Sequence, residues 1–208
     1  MADGEKKAVE KREIGMPMTE AEFLATFKLL HEGTEGLESC TCPAWVGGFY
    51  MFSHFPALWP YIYQMPVEKD DVIVASFPKC GTTWMQHLVY LVKTRDFEGA
   101  SKWRVDERIP FLEFPTPATP QTLINLANRP SPRIFKTHAP AKWLPRDAHK
   151  GKVVYMYRNA KDACVSLFNH HFRLSNGEWP FPFEKMARDF IEGKGEPSSK
   201  VSIVVFVL

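Results

Sequence analysis

Four side chains in this sequence could handle an anion and a proton together: Lys79, Lys136, His138 and Arg158. Lys79 lies in FPKCGTTWMQ (residues 77–86), directly behind the apolar run VIVASF. Gly81 lets the backbone approach an oxygen-rich group closely. A helix opening at Thr82 presents free N–H groups and the positive end of its dipole, and Thr82 and Thr83 add hydroxyl donors. The turn is therefore expected to cradle a phosphate-like group. The common nucleotide loop, G-x-x-x-x-G-K-[ST], carries its lysine after the second glycine, whereas here the lysine precedes the glycine. A standard ATP loop is not expected; a plain strand–turn–helix with a surface lysine is the competing reading.

In IFKTHAP (134–140), Lys136 and His138 stand two apart on an extended segment and so point to one side. An imidazole beside an ammonium favours its neutral form, which a general base requires. A loop histidine with a solvated lysine is the alternative. In VVYMYRNAKDACVS (153–166), Arg158 closes a third apolar run just before a helix N-cap. It can serve as a second anion clamp or pair with Asp162, and the stretch alone leaves both open.

These groups need a scaffold. Strands are expected over 72–77, 133–137 and 153–157, the first apolar enough to be covered on both faces. Helices are expected over 21–32, 57–65, 82–93, 120–128, 159–172 and 183–191. Residues 34–66 read as a Gly/Pro/aromatic loop region around the helix at 57–65, and 96–131 as irregular chain around the one at 120–128. On the helix at 82–93, Trp84, Leu88 and Leu91 form one apolar row, with Met85, Val89 and Val92 beside it. Strands alternating with helices across long connections imply an α/β domain with a parallel sheet, whose ligands bind outside the carboxyl ends of the strands. All three basic clusters fall at that end.

A net charge of +2 gives no ground for a nucleic-acid partner. No apolar stretch approaches the ~20 residues of a membrane span, and the charged N-terminus lacks the apolar core of a secretory signal. A cytoplasmic protein without a membrane partner is the expectation. Cys40, Cys42, Cys80 and Cys164 fit a reducing compartment, and Cys40, Cys42, His31 and His54 match no standard zinc spacing, so no metal is expected.

FPKCGTTW, FKTHAP, YRNAKDACVSLF and IPFLEF (109–114), in this order, resemble the cytosolic sulfotransferases over residues 43–193. The resemblance implies a three-layer, P-loop-like α/β fold. It also implies transfer of a sulfonate from 3′-phosphoadenosine 5′-phosphosulfate (PAPS) to a hydroxyl or amine of a small phenol- or steroid-like acceptor. His138 would take the acceptor's proton, while Lys136 and Lys79 neutralise developing charge. Lys79, Cys80, Gly81, Thr82 and Thr83 would hold the 5′-phosphate, Trp84 would stack on adenine, and Arg158 and Ser166 would bind the 3′-phosphate. Phe111, Phe114 and His170 fall where the family lines its acceptor pocket, joined by Phe52 and Phe55; core packing is the alternative for each phenylalanine. Cys80 departs from the usual serine or alanine, and at a helix N-terminus its pKa is expected to fall. Ala139 replaces a common leucine.

Three segments result: a polar tail (1–18), the catalytic portion of the domain (19–193) and a divergent end (194–208) in which VSIVVFVL is long enough for one strand. The family's Arg-Lys-Gly segment and its dimer segment have no counterpart there. The fold is accordingly expected to be incomplete at its C-terminus, with weak donor binding and low or absent turnover; a homodimer would lack the family's contact. A silent isoform that binds nucleotide or a partner subunit is the alternative reading.

Overall fold

β-Branched residues dominate the segment from Val72, and a chain that stiff at χ1 favours the extended state. In the computed structural model, which describes residues 18–31, 43–46, 49–115, 117–174, 176–177 and 181–192, this segment is the central strand of the fold. The elements run α1 (Glu20–His31), β1 (Pro43–Val46), β2 (Phe49–Phe52), α2 (Phe55–Gln64), β3 (Val72–Ser76) and α3 (Thr82–Thr94). They continue with α4 (Phe97–Lys102), α5 (Val105–Arg108), α6 (Pro120–Ala127), β4 (Ile134–Thr137), β5 (Lys152–Met156), α7 (Ala160–Leu174) and α8 (Phe183–Glu192).

β3 pairs in parallel with β4 on one side and β5 on the other, with Ala75 opposite Thr137 and Ser76 opposite Met156. Both faces of β3 are covered, which explains its unbroken apolar run. Val72 and Val74 meet Met85, Val89 and Tyr90 of α3 on one side. Ile73 meets the larger cluster of α2, α6, Phe135 and Trp143 on the other. Helix, sheet and helix make the three layers, the expected architecture. The stretch 110–112 adds an outer rung beside β4, where Lys136 N–H donates to Pro110 O (2.9 Å) and Leu112 N–H to Lys136 O (2.9 Å).

The amino end of the sheet is fastened by a buried ion pair. Asp71 (0% exposed) accepts from the Arg133 backbone N–H at 2.8 Å and from the Arg133 guanidinium. Arg133 also donates to Ala127 O (2.6 Å) and Pro66 O (2.8 Å), so one side chain ties the entrances of β3 and β4 to two loops. Burial alone would raise the Asp71 pKa, yet the Arg133 guanidinium and the backbone N–H groups of Glu68 and Arg133 bring it down to about 2.

Two expectations need correction, and the docking of α3 decides between two rows the sequence left open. The region 34–66 is not loop apart from its helix: β1 and β2 pair as an antiparallel hairpin, Val46 opposite Phe49. The region 96–131 holds α4 and α5 besides α6; Asp96 caps α4 by accepting from Gly99 N–H (2.7 Å), and Arg104 and Glu107 cap α5. Both helices are shorter than the window over which periodicity shows. On α3, the row that packs is Met85 and Val89, whereas Trp84 (62% exposed) and Val92 (78%) face out. Two adjacent rows share the same periodicity, and only the docking of the helix selects between them. Residues 1–17 and 193–208, with VSIVVFVL, lie outside the described residues.

Candidate anion turn and proton-accepting histidine

The turn leaving β3 is shaped by two left-handed residues, Lys79 (φ 67°) and Gly81 (φ 95°). Glycine adopts this conformation freely; lysine does so at a cost of roughly 1–2 kcal/mol. Gly81 then caps α3, whose first i→i−4 bond runs from Met85 N–H to Gly81 O (3.0 Å). By helix geometry the N–H groups of Thr82 to Trp84 have no carbonyl one turn back and point out of the N-terminus. Arg158, two residues past β5, donates from Nη1 to Lys79 O (3.1 Å), which braces the turn and brings a second cation beside it. A cavity of about 510 Å³ opens here, lined by Lys79, Arg158, Asp162, Ser166, Asn169, His170 and Arg173 among others. Ser166 thus shares one cavity with Arg158 and Lys79, two turns along α7 from the helix start. Asn159 caps that helix by accepting from Lys161 N–H (2.9 Å).

His138 follows directly on β4. Its Nδ1 donates to Ser76 O (2.8 Å) at the end of β3; a carbonyl can only accept, so the neutral ring carries its proton on Nδ1 and keeps the Nε2 lone pair free. Burial first, then the positive charge of Lys136 and that of Lys79, hold its pKa down to about 3, against the opposing Ser76 hydrogen bond. At neutral pH it is a base. Lys136 itself is pushed down by burial and by Lys79, and up by Glu113 and Asp106; its Nζ lies 4.0 Å from the Phe111 ring centre.

Glu113 was not singled out by motif reading, yet it holds the histidine turn. Its Oε1 accepts from the Thr137 hydroxyl (2.5 Å) and from the N–H groups of His138 (2.7 Å) and Ala139 (2.5 Å). The side chain is buried, and that burial outweighs its hydrogen bonds and raises its pKa. A charged residue inside the apolar run IPFLEF was the available signal, since buried carboxylates are rare without partners. Ser76 was likewise missed; a serine closing an apolar strand carries no motif.

One aromatic ring meets His138 and two more pack behind it. Phe111 lies edge-on to it at 5.1 Å, and Phe52 reaches Phe111 (6.1 Å) and Phe114 (4.8 Å). Phe55 does not join them: it is fully buried against Trp143 in the main core, as the competing core reading anticipated. Trp84, in the first turn of α3, is exposed and free to stack. The Cys80 expectation is overturned: burial raises its pKa despite the nearby Arg158 charge, so the helix end does not make it a thiolate. Cys40 and Cys42 lie outside the described residues, and among those described no group of three or more His, Cys, Asp or Glu could hold a metal ion. Nor is any described helix long and apolar enough to cross a membrane.

The depressed histidines set a stability window. His171 is also held down, to about 4, by burial, His170 and Lys79. A histidine whose folded pKa lies below its unfolded value of about 6.5 resists the proton that the unfolded chain accepts, so its stabilisation is lost as pH falls below 6.5. Between pH 7 and 5 His138 should cost about 2 kcal/mol of unfolding free energy, and the less buried, better screened His171 less than that. Glu113, with its raised pKa, acts oppositely, so the clean measurement is urea unfolding at both pH values in a Glu113→Gln background. His138→Gln should remove a large part of the drop, with His171 and His170, whose pKa burial also lowers, supplying the rest; a pH-independent midpoint would contradict the burial of these rings.

A family model described as "Sulfotransferase domain" matches residues 69–204. Mouse sulfotransferase 1A1 is 34% identical over 152 residues, 72% of this chain and 52% of the relative. Human sulfotransferase 4A1 is 37% identical over 136 residues, 64% of this chain and 46% of the relative. The chain thus spans about half the length of these relatives. Among solved structures, retinol dehydratase in complex with androsterone and the inactive cofactor PAP superposes with a TM-score of 0.54 at 26% identity, covering 72% of this chain and 53% of that one.

Proposed function

Because the chain belongs to the sulfotransferase family, we propose that it transfers a sulfonate group from PAPS to a hydroxyl or amine of a small aromatic or steroid-like acceptor. The observation that carries this reading is a neutral, Nδ1-protonated His138 beside Lys136, within the field of Lys79 at the anion turn. A retinol dehydratase holding PAP and androsterone supports both the donor type and the acceptor class.

The residues present fit the donor. Two left-handed residues shape the turn at which the helix-terminal N–H groups open, and Lys79, Thr82 and Thr83 belong to that same turn, a combination suited to a phosphate oxygen cluster. Arg158 and Ser166 share the adjoining cavity and suit a second phosphate, while Trp84 offers an exposed face to a base. When bound, PAPS supplies an electrophilic sulfonate and a phosphate leaving group. His138 Nε2 accepts the proton of the attacking hydroxyl, and Ser76 O holds the resulting imidazolium through Nδ1–H. Lys136 and Lys79 offset negative charge, and next to the buried His138 and Lys136 a fixed cation acts more strongly than in water. Phe52, Phe111 and Phe114 exclude water and present flat apolar surface to an aromatic acceptor.

Calorimetry with PAP and transfer of labelled sulfonate to a simple phenol test the proposal. Arg158→Ala should weaken PAP by roughly 1.5–3 kcal/mol, the range for a charge-assisted hydrogen bond, or about 10–150-fold. Absence of PAP binding to the parent chain, or equal affinity in the variant, would overturn the assignment.

A further inference from the structure

The donor turn and the histidine are joined by a hydroxyl pair buried in the sheet. Ser76 (1% exposed) and Thr82 (5% exposed) approach through Oγ and Oγ1 at 2.5 Å. Ser76 also meets His138 Nδ1 twice, through its carbonyl at 2.8 Å and more weakly through Oγ at 3.4 Å. One residue at the end of β3 thus touches both the first residue of α3 and the proton-accepting ring. We infer that Ser76 is a positioning residue that transmits occupation of the anion turn to His138, through a hydrogen-bond chain running from His138 by Ser76 to Thr82. This rests on the reading of the turn as an anion site.

Proton counting gives the chain its direction. Each hydroxyl has one proton to donate. His138 Nδ1–H points to Ser76, which accepts through O and secondarily through Oγ. The Ser76 proton is then available for Thr82 Oγ1, and the Thr82 proton is left for an anionic oxygen at the helix N-terminus. An anion accepts it, and every link donates the same way. Without an anion, either hydroxyl can donate to the other, so the Oγ contact to the ring depends on which of the two does, while the carbonyl contact persists. Aligned chains polarise one another, and the burial of both hydroxyls keeps water from substituting for a link.

Imidazole nitrogen spectra of the ¹⁵N-histidine-labelled full chain test this, with His138→Gln assigning the signal. At neutral pH His138 should show an Nδ1–H signal that shifts on addition of PAP. Ser76→Ala should bind PAP yet lose the His138 shift, and Ser76→Thr should restore it. Thr82→Val should displace the His138 signals with no ligand present, at an unchanged melting temperature of the labelled sample. A PAP-induced shift in Ser76→Ala equal to that of the parent would overturn the inference, as would Thr82→Val spectra superposing on the parent. Should PAP fail to bind the parent, the donor assignment falls, while the ligand-free Thr82→Val spectrum still decides whether the chain exists.

Discussion

His138→Ala should lower labelled sulfonate transfer to a phenol by about 10²–10⁴-fold, the usual contribution of a positioned general base, while leaving PAP affinity little changed. The two effects separate because the ring contacts Ser76 and Phe111, whereas the cavity at the turn is lined by Lys79, Arg158 and α7. The pH profile adds a sharper expectation. A histidine with an ordinary pKa would lose half its base form near pH 6.5, but His138, held down to about 3, keeps its lone pair far below that. Turnover should stay flat from pH 7 to about 5 before any acid limb appears. A limb centred near 6.5, or transfer that survives the alanine substitution, would remove His138 from the role.

The second large effect concerns stability alone. Asp71→Ala should cost about 3–5 kcal/mol, because it leaves the Arg133 guanidinium buried without its carboxylate partner. That is a large share of a typical domain's ~5–15 kcal/mol. Arg133 would keep the carbonyls of Ala127 and Pro66, which hold it in place but do not neutralise it. Removing both partners, as Asp71→Leu with Arg133→Met, should recover much of the loss, since an apolar pair of similar volume needs no charge compensation. Denaturant unfolding of the single and double variants checks this. A single variant within 1 kcal/mol of the parent would show that the pair is not stabilising. The ion pair sits at the amino end of the strands and the turn at the carboxyl end, so PAP affinity should hold at temperatures where the variant is folded.

The sheet was readable from sequence because its strands are short apolar runs that stop at Pro78 and at the basic residues of the turns. The helices at α3, α7 and α8 were readable for a related reason: their apolar periodicity persists over ten or more residues. The hairpin of β1 and β2 escaped notice because four-residue strands in an aromatic, Gly- and Pro-rich stretch carry no alternation long enough to count. Within the site, Lys79, Lys136, His138 and Arg158 were legible from type and spacing, and the fold brings them to one end of the sheet. Glu113 and Ser76 were not, since each acts through contacts to β4 or β3 that only the parallel register creates. The pKa of Cys80 was misjudged for a similar reason. The helix end favours a thiolate, but the depth of the sulfur is a tertiary fact, and burial wins.

Lys79 holds a backbone conformation that a lysine adopts only under constraint, and its carbonyl is gripped by Arg158. Relaxing that residue to glycine would relieve the turn while deleting a cation from the anion cradle. Selection for heat tolerance alone would therefore drift toward glycine here and silently discard the ligand recognition proposed for this turn. Any variant hardened by such a screen should be judged on what it still captures, not only on how long it survives.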